Sequence, residues 1–319
     1  MKSQFAVFIA TLVLGLTTSF SAQAETRVTF KSAKTSSSYY QMAVQLAEAM
    51  KKGSDGEVIV TVEESQGSVQ NVMEAAKRSG NYVFTTPPVL VKLAQKEIAM
   101  FKGKGNPKFN DIRALFPIPS LTMHFVVRAD SGITDFAGLE GKTMLIGKGS
   151  FGAKEGTKYL KLFGLEGKVK QAGAELNAAV AALKNKQIDG FVTAGSYPAP
   201  NVIEAAASTG ISLLSLTDDQ IKQTKRTRLV IPAGTYTGVD KDIVTTSLPV
   251  VAHATTQMDD DTAYLLTKTY WTQKENLGKD TAWWNAVTPK MLENVYGKLH
   301  PGALKYYDEI KAEVPEALR

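Results

Sequence analysis

The chain has 319 residues, 44% hydrophobic and 21% charged, with 37 Lys+Arg against 31 Asp+Glu and no cysteine. That length makes one large or two medium domains that fold on apolar burial without disulfides. The formal charge of +6 favours anionic partners in a general way. Its densest patch, Lys102 to Lys108, is a Gly-spaced loop without interleaved aromatics, which argues against a nucleic-acid surface.

At the start of the chain, Lys2 precedes the apolar run Phe5–Leu16, and Ala22-Gln23-Ala24 stands before Glu25. This is the order of a cleaved secretory signal. The apolar run is shorter than the ~20 residues a spanning helix needs, and no later stretch comes close. The mature chain is therefore expected to begin near residue 25, to lie outside the cytoplasm in the periplasm, and to insert no segment into the membrane. No Cys follows the signal, so no lipoprotein anchor is expected.

From residue 25 onward, strand-like runs alternate with helical periods: Arg27–Ala33, Val58–Glu64, Tyr82–Thr86, Ile112–Pro117, Met123–Arg128, Thr143–Ile146, Val169–Ala172, Gly190–Thr193, Ile211–Leu216 and Arg228–Ile231. The fold class this predicts is α/β. In the helix Ser38–Lys52, Met42, Leu46, Ala47 and Met50 share a face, Ser38-x-x-Gln41 reads as a capping box, and Gly53 ends the period. A late strand, Ser247–Ala254, precedes a purely helical region. There Ala263, Leu266, Thr267 and Tyr270 form one stripe, and a last helix after His300-Pro301-Gly302 carries Leu304, Tyr307 and Ile310.

Four strands run directly into Ser/Gly-rich turns that open helices, at Thr35–Tyr40, Ser65–Asn71, Gly147–Ala153 and Ala194–Pro200. Each junction offers unpaired backbone N–H groups and the positive end of a helix dipole, which suits an oxygen-rich or anionic small molecule.

Catalytic readings find less support. Gly147-Lys148-Gly149-Ser150-Phe151-Gly152 fits G-x-G-x-x-G, yet Gln171-Ala172-Gly173 stands where an acid would meet a ribose. Ser150 lacks the preceding Gly of a nucleophile elbow, because Lys148 is there. His124, His253 and His300 are far apart and have no carboxylate or Cys at ligand spacing, so a structural role is expected for each, with no metal and no cofactor. Glu63 and Glu64 should fall on opposite faces of a strand, and Asp259-Asp260-Asp261 should start a helix.

Eight motifs occur in order: Ser37-Ser38-Tyr39-Tyr40, Ser65-Gln66-Gly67-Ser68-Val69-Gln70-Asn71, the run from His124 to Ile133, Leu139-Glu140-Gly141-Lys142, Gly147 to Gly152, Ala194 to Pro200, Pro232-Ala233-Gly234-Thr235-Tyr236, and His300-Pro301-Gly302-Ala303. Together they resemble the solute-binding subunits of TAXI-type TRAP transporters. The chain departs at Ser37-Ser38, where Gly-Thr is common, and at Gly80-Asn81-Tyr82-Val83, where Gly-x-x-Asp is usual. The resemblance implies a two-lobed type II periplasmic-binding-protein fold and delivery of a small organic anion (a glutamate-like amino acid, a dicarboxylate or an oxo-acid) to an ion-coupled TRAP permease in the membrane. A periplasmic enzyme or a ligand sensor on the same fold is the alternative.

One lobe is expected from residues 25–120 and 248–319, the other from 121–247. Candidate ligand-binding residues are Ser38, Tyr39, Ser65, Gln66, Ser68, Asn71 and Thr86 from the first lobe. Ser150, Gly152, Gly195, Ser196 and Tyr197, with Tyr236 as a pocket wall, come from the second. One ring of Tyr39 and Tyr40 must turn inward, and the sequence leaves open which. Arg113 and Arg128 lie in strand-like segments near the crossover. A carboxylate clamp there is weighed against a surface ion pair.

Overall fold

A computed structural model describes residues 25–148 and 150–319; the signal expected over residues 1–24 lies outside the described residues. The first wing of the sheet is built from β1 (Thr26–Lys31), α1 (Ser38–Gly53), β2 (Val58–Glu63), α2 (Ser68–Ala75), β3 (Tyr82–Thr86) and α3 (Pro88–Gln95). β1 pairs with β2 and β3, parallel to both, as expected for strands linked through helices. β3 is buried at every position, and α1 buries Met42, Ala43, Leu46 and Met50.

The chain then crosses the molecule in β4 (Ile112–Arg128) and builds a second wing. This contains β5 (Thr143–Leu145), α4 (Phe151–Leu162), β6 (Lys170–Gln171), α5 (Ala179–Lys184), β7 (Gly190–Gly195), α6 (Pro200–Thr209), β8 (Ile211–Leu213), α7 (Asp218–Thr224) and β9 (Thr227–Ile231). β10 (Ile243–Thr255) crosses back antiparallel to β4. Its first half pairs with β9 through Ile243–Ser247, and its second half pairs with β3 through Val251–His253. β4 likewise meets β11 (Lys298–Leu299) at Arg113–Ala114 and β7 at Thr122–Val127. α8 (Asp260–Asp280) and α9 (Pro301–Glu309) complete a helical layer.

Two expected strands, Ile112–Pro117 and Met123–Arg128, are thus one strand of 17 residues. Pro117 and Pro119 would ordinarily interrupt a sheet because they cannot donate to a ladder. Here the carbonyls of Leu115, Pro117 and Pro119 point toward the side on which, among the described residues, β4 has no strand partner between β11 and β7. Three tyrosine hydroxyls take the place of that partner: Tyr307 donates to Leu115 O (3.1 Å), Tyr270 to Pro117 O (2.8 Å) and Tyr39 to Pro119 O (3.0 Å). The strand loses no donor it needed, and its buried acceptors are paired.

The stripe expected on α8 is buried, whereas α9 turns Ala303, Tyr306 and Tyr307 inward and leaves Ile310 exposed at its end. Gly302 lets α9 approach α8, since a Cβ there would collide with the carbonyl of Asp260. The capping box expected at Ser38 is absent. Ser37 is the N-cap, accepting from Tyr40 N, and this frees the Ser38 hydroxyl for another contact. No helix of the described residues is long and apolar enough to cross a membrane.

Candidate functional site

The turns after β1, β2 and β5 come together in a narrow cleft of about 60 Å³ between the two wings. Ser37, Tyr39, Gln66, Gly67 and Ser68 line it from the first wing, and Ser150, Phe151, Gly152 and Leu176 from the second. Gly67, at φ 110°, takes a backbone conformation that favours glycine, and it lies close to Ser150: a Cβ there would be in van der Waals contact with Ser150 Cβ, at 3.4 Å. Gly152 permits α4 to lie on β7, where a Cβ would come within 2.5 Å of Ala194 Cβ.

The hydroxyls divide their work. Ser65 Oγ donates to Ser32 O (2.9 Å) and accepts from Gly67 N (2.9 Å), holding the β2–α2 turn in shape. Ser150 Oγ caps α4 by accepting from Ala153 N (3.0 Å). Ser68 Oγ has no partner among the described residues. The first turns of α2 and α4 carry N–H groups without intrahelical acceptors, and the residues that open both helices line the cleft.

Contacts also join the wings. Ser196 N donates to Ser38 Oγ (2.9 Å), and Gly195 makes room for it, since a Cβ there would fall 2.4 Å from that hydroxyl. The Gln66 amide is satisfied with its oxygen facing Lys34 Nζ (3.1 Å) and its nitrogen donating to Glu175 Oε2 (3.3 Å). Lys34 also lies 3.7 Å from Glu64 Oε1.

Not every candidate reaches the cleft. Asn71 is fully buried and donates to Ser32 O (2.7 Å) and Thr85 O (3.0 Å), tying the ends of β1 and β3 together. Thr86 is fully buried, with its hydroxyl on Pro87 O. Tyr236 was expected as a pocket wall but is buried behind the β7–α6 turn. Its hydroxyl accepts from Ala199 N (2.8 Å) and faces His124 Nε2 (2.9 Å), while His124 Nδ1 faces Thr122 O (3.1 Å). Between the paired tyrosines, Tyr39 turns inward; burial holds its phenol well above the usual range, so it remains a donor.

Ser196 and Tyr197 line a different and larger cavity of about 500 Å³. It lies against β4 at Pro119, Ser120 and Thr122, and its far side is the segment from Ala282 to Met291. Sequence reasoning missed this segment: Trp283, Val287 and Met291 are spaced by four, but the segment forms two short 3-10 turns, Ala282–Ala286 and Pro289–Asn294, and nothing in its spacing shows that it meets β4.

The arginines are occupied elsewhere. Arg113 donates to Asn110 O and Ile112 O, and Arg128 pairs with Asp130 (2.8 Å) and donates to Ile188 O (2.8 Å). Burial lowers His124 and His253 to about 4, so both are neutral at physiological pH. Among the described residues, no group of three His, Cys, Asp or Glu could hold a metal ion.

Residues 30–310 match the model of a family described as NMT1-like. In structure the chain is similar to MatC from Rhodopseudomonas palustris with bound malate, at 11% identity over 89% of this chain and 97% of that one, with a TM-score of 0.57. It is also similar to the periplasmic binding protein BugD, at 13% identity over 91% of this chain and 99% of that one, with a TM-score of 0.53. The fold is therefore that of the two-lobed periplasmic binding proteins.

Proposed function

The chain belongs to the NMT1-like family, and on that premise we propose that it is an extracytoplasmic solute-binding protein that captures a small organic anion by closing its two wings. The wings act as lobes, formed by roughly residues 25–120 with 248–319 and by residues 121–247, and β4 and β10 are the connections that flex. The observation that carries this reading is the meeting of helix N-termini from both wings, with Gly67 against Ser150 and Ser38 bonded to Ser196.

Magnitudes favour a two-sided site. Micromolar affinity needs ~8 kcal/mol, whereas one net hydrogen bond supplies ~0.5–1.5 and a helix N-terminus ~0.3–1 for an anion, reaching ~2 when partly buried. One junction falls short; several converging from opposite wings reach the total, and closure strengthens them by removing water. The solute selects the closed state by its higher affinity for it, and a membrane permease of the TRAP type reads that state. Ser38, Tyr39, Gln66, Ser68, Ser150, Gly152, Gly195 and Ser196 are the contact residues proposed, and Ser65 holds its turn in position.

A thermal-shift screen of residues 25–319 against amino acids, dicarboxylates, oxo-acids and sugar acids tests the reading, because a ligand of the folded state raises Tm. Saturable shifts with organic acids are expected. A protein that none of them stabilises is not a solute-binding protein of this class.

A further inference from the structure

The cavity of about 500 Å³ beside the cleft is a separate chamber in the size range of small-molecule pockets. It is walled off from the helix termini. Tyr39, which lines the cleft, donates to Pro119 O (3.0 Å), and Ser196 N donates to Ser38 Oγ (2.9 Å), with Pro119 and Ser196 lining the chamber on the other side. A solute held at the termini does not reach through this wall, so an occupant of the chamber is bound on its own account.

One side of the chamber is polar. Ser120 and Thr122 stand two residues apart on β4 and so share a face of the strand. Thr122 pairs with Gly195 in the antiparallel ladder with β7, and the same register carried two residues further brings Tyr197 to Ser120. Ser196 Oγ, donating to Ser120 O (2.8 Å), holds the turn in that place. The hydroxyls of Ser120, Thr122 and Tyr197 make no hydrogen bond among the described residues. Thr122 is 1% exposed, and the surface it keeps includes its hydroxyl, which opens that group to the chamber. The carbonyls alongside are occupied: Pro119 O by Tyr39, Ser120 O by Ser196, and Thr122 O faces His124 Nδ1 (3.1 Å). The free hydrogen-bonding capacity is therefore that of three hydroxyls. Leu229, Ala286, Val287 and Met291 make the rest of the lining apolar, and no lining residue is charged.

Hydroxyls both donate and accept, so the group that matches them does both, as a carboxamide or an alcohol does. A carboxylate only accepts, and no cation lines the chamber to offset its desolvation. We infer that the chamber is a second ligand site, distinct from the solute cleft, for an uncharged amphipathic small molecule whose amide or hydroxyl end sits on Ser120, Thr122 and Tyr197 and whose apolar arm lies against Val287 and Met291. The site stands whether or not the cleft takes an organic acid.

Titration calorimetry of residues 25–319 with phenylacetamide, 2-phenylethanol and phenylacetate, the charged counterpart of the amide, tests it. Both uncharged probes should bind saturably, and phenylacetate should bind in the chamber roughly 10-fold or more weakly than the amide. Thr122→Val and Tyr197→Phe each remove a hydroxyl with little change of shape, and each should weaken phenylacetamide roughly 3- to 10-fold. Ala286→Trp, at an exposed position on the chamber's rim, should fill the space and abolish binding of both uncharged probes. Thermal melts confirm that the variants fold. Phenylacetate held in the cleft would be insensitive to Ala286→Trp, which separates the two sites. If neither uncharged probe binds, or if both bind equally well to all three variants, the chamber is not a ligand site, while the solute-binding reading is untouched. If phenylacetate binds more tightly than the amide and loses affinity in Thr122→Val and Ala286→Trp, the chamber takes carboxylates and the uncharged class is overturned.

Discussion

At the scale of single residues, the serines of the cleft fall into distinct classes, and the classes predict different phenotypes. Ser68 makes no contact that the fold needs, whereas Ser150 is the cap of α4. Ser68→Ala should weaken solute binding by about 1.5–2 kcal/mol, roughly 10- to 30-fold, the worth of a hydrogen bond to a charged group, and leave Tm unchanged. Ser150→Ala should weaken binding similarly and also cost about 1 kcal/mol of stability through the lost cap. Replacing Arg113 or Arg128 should matter less for affinity, since both guanidinium groups are turned to backbone carbonyls or Asp130. Calorimetry and thermal melts on the four variants decide the matter. An arginine variant that stays folded and loses all binding, beside serine variants that bind normally, would replace helix termini with an arginine clamp.

At the scale of elements, two glycines give close approaches of different kinds. Gly152 sits where α4 packs on β7 inside one wing, and Gly195 where β7 meets α1 across the two wings. Gly152→Ala should therefore lower Tm, with an overpacking cost of about 1–3 kcal/mol, because the clash persists in every folded state. Gly195→Ala should leave the melting of the free protein nearly unchanged and reduce affinity, because its clash arises only when Ser38 and Ser196 meet. Equal losses of Tm in both variants would mean that the Ser38 contact belongs to the fold and not to closure.

These elements also mark how far the sequence can be read. The strand–turn–helix junctions at Ser65–Ser68 and Gly147–Gly152 were legible, because turn residues, caps and hydrophobic period act within a few residues of one another. β4 was not legible as one strand. Its prolines are tolerated because Tyr39, Tyr270 and Tyr307 satisfy the carbonyls of Pro119, Pro117 and Leu115 from 80, 153 and 192 residues away. The Ser38 hydroxyl, left free by the cap at Ser37, meets Ser196, 158 residues on. Trp283 was missed for the same reason, since the chamber it lines is assembled from four separated segments.

For the molecule as a whole, the crossing strands carry an acid sensitivity. His124 on β4 and His253 on β10 are pushed by burial from 6.5 to about 4. Because the folded value lies below the unfolded one, the unfolded chain takes up protons first as the pH falls. Stability from this source is intact above about pH 6.5, declines toward pH 4, and reaches a loss on the order of 3 kcal/mol per histidine. His253→Phe removes one of these groups from beside Phe84. The fall in Tm between pH 7 and pH 4.5 should be smaller in that variant than in the wild type. An unchanged fall would assign the acid sensitivity to other groups.

The position of β10 between β3 and β4 also fixes when the molecule can assemble. β3 ends at Thr86, yet its neighbour in the sheet starts at Ile243 and is complete only at Thr255. Until that residue has been synthesised, β3 lacks its antiparallel partner, β9 lacks the partner it has among the described residues, and the growing chain carries open strand edges. Contacts this distant in sequence form late and slowly. On the extracytoplasmic role proposed above, a chain that crosses a membrane before it folds gains from such an arrangement, since its architecture keeps it unfinished until most of its length has emerged.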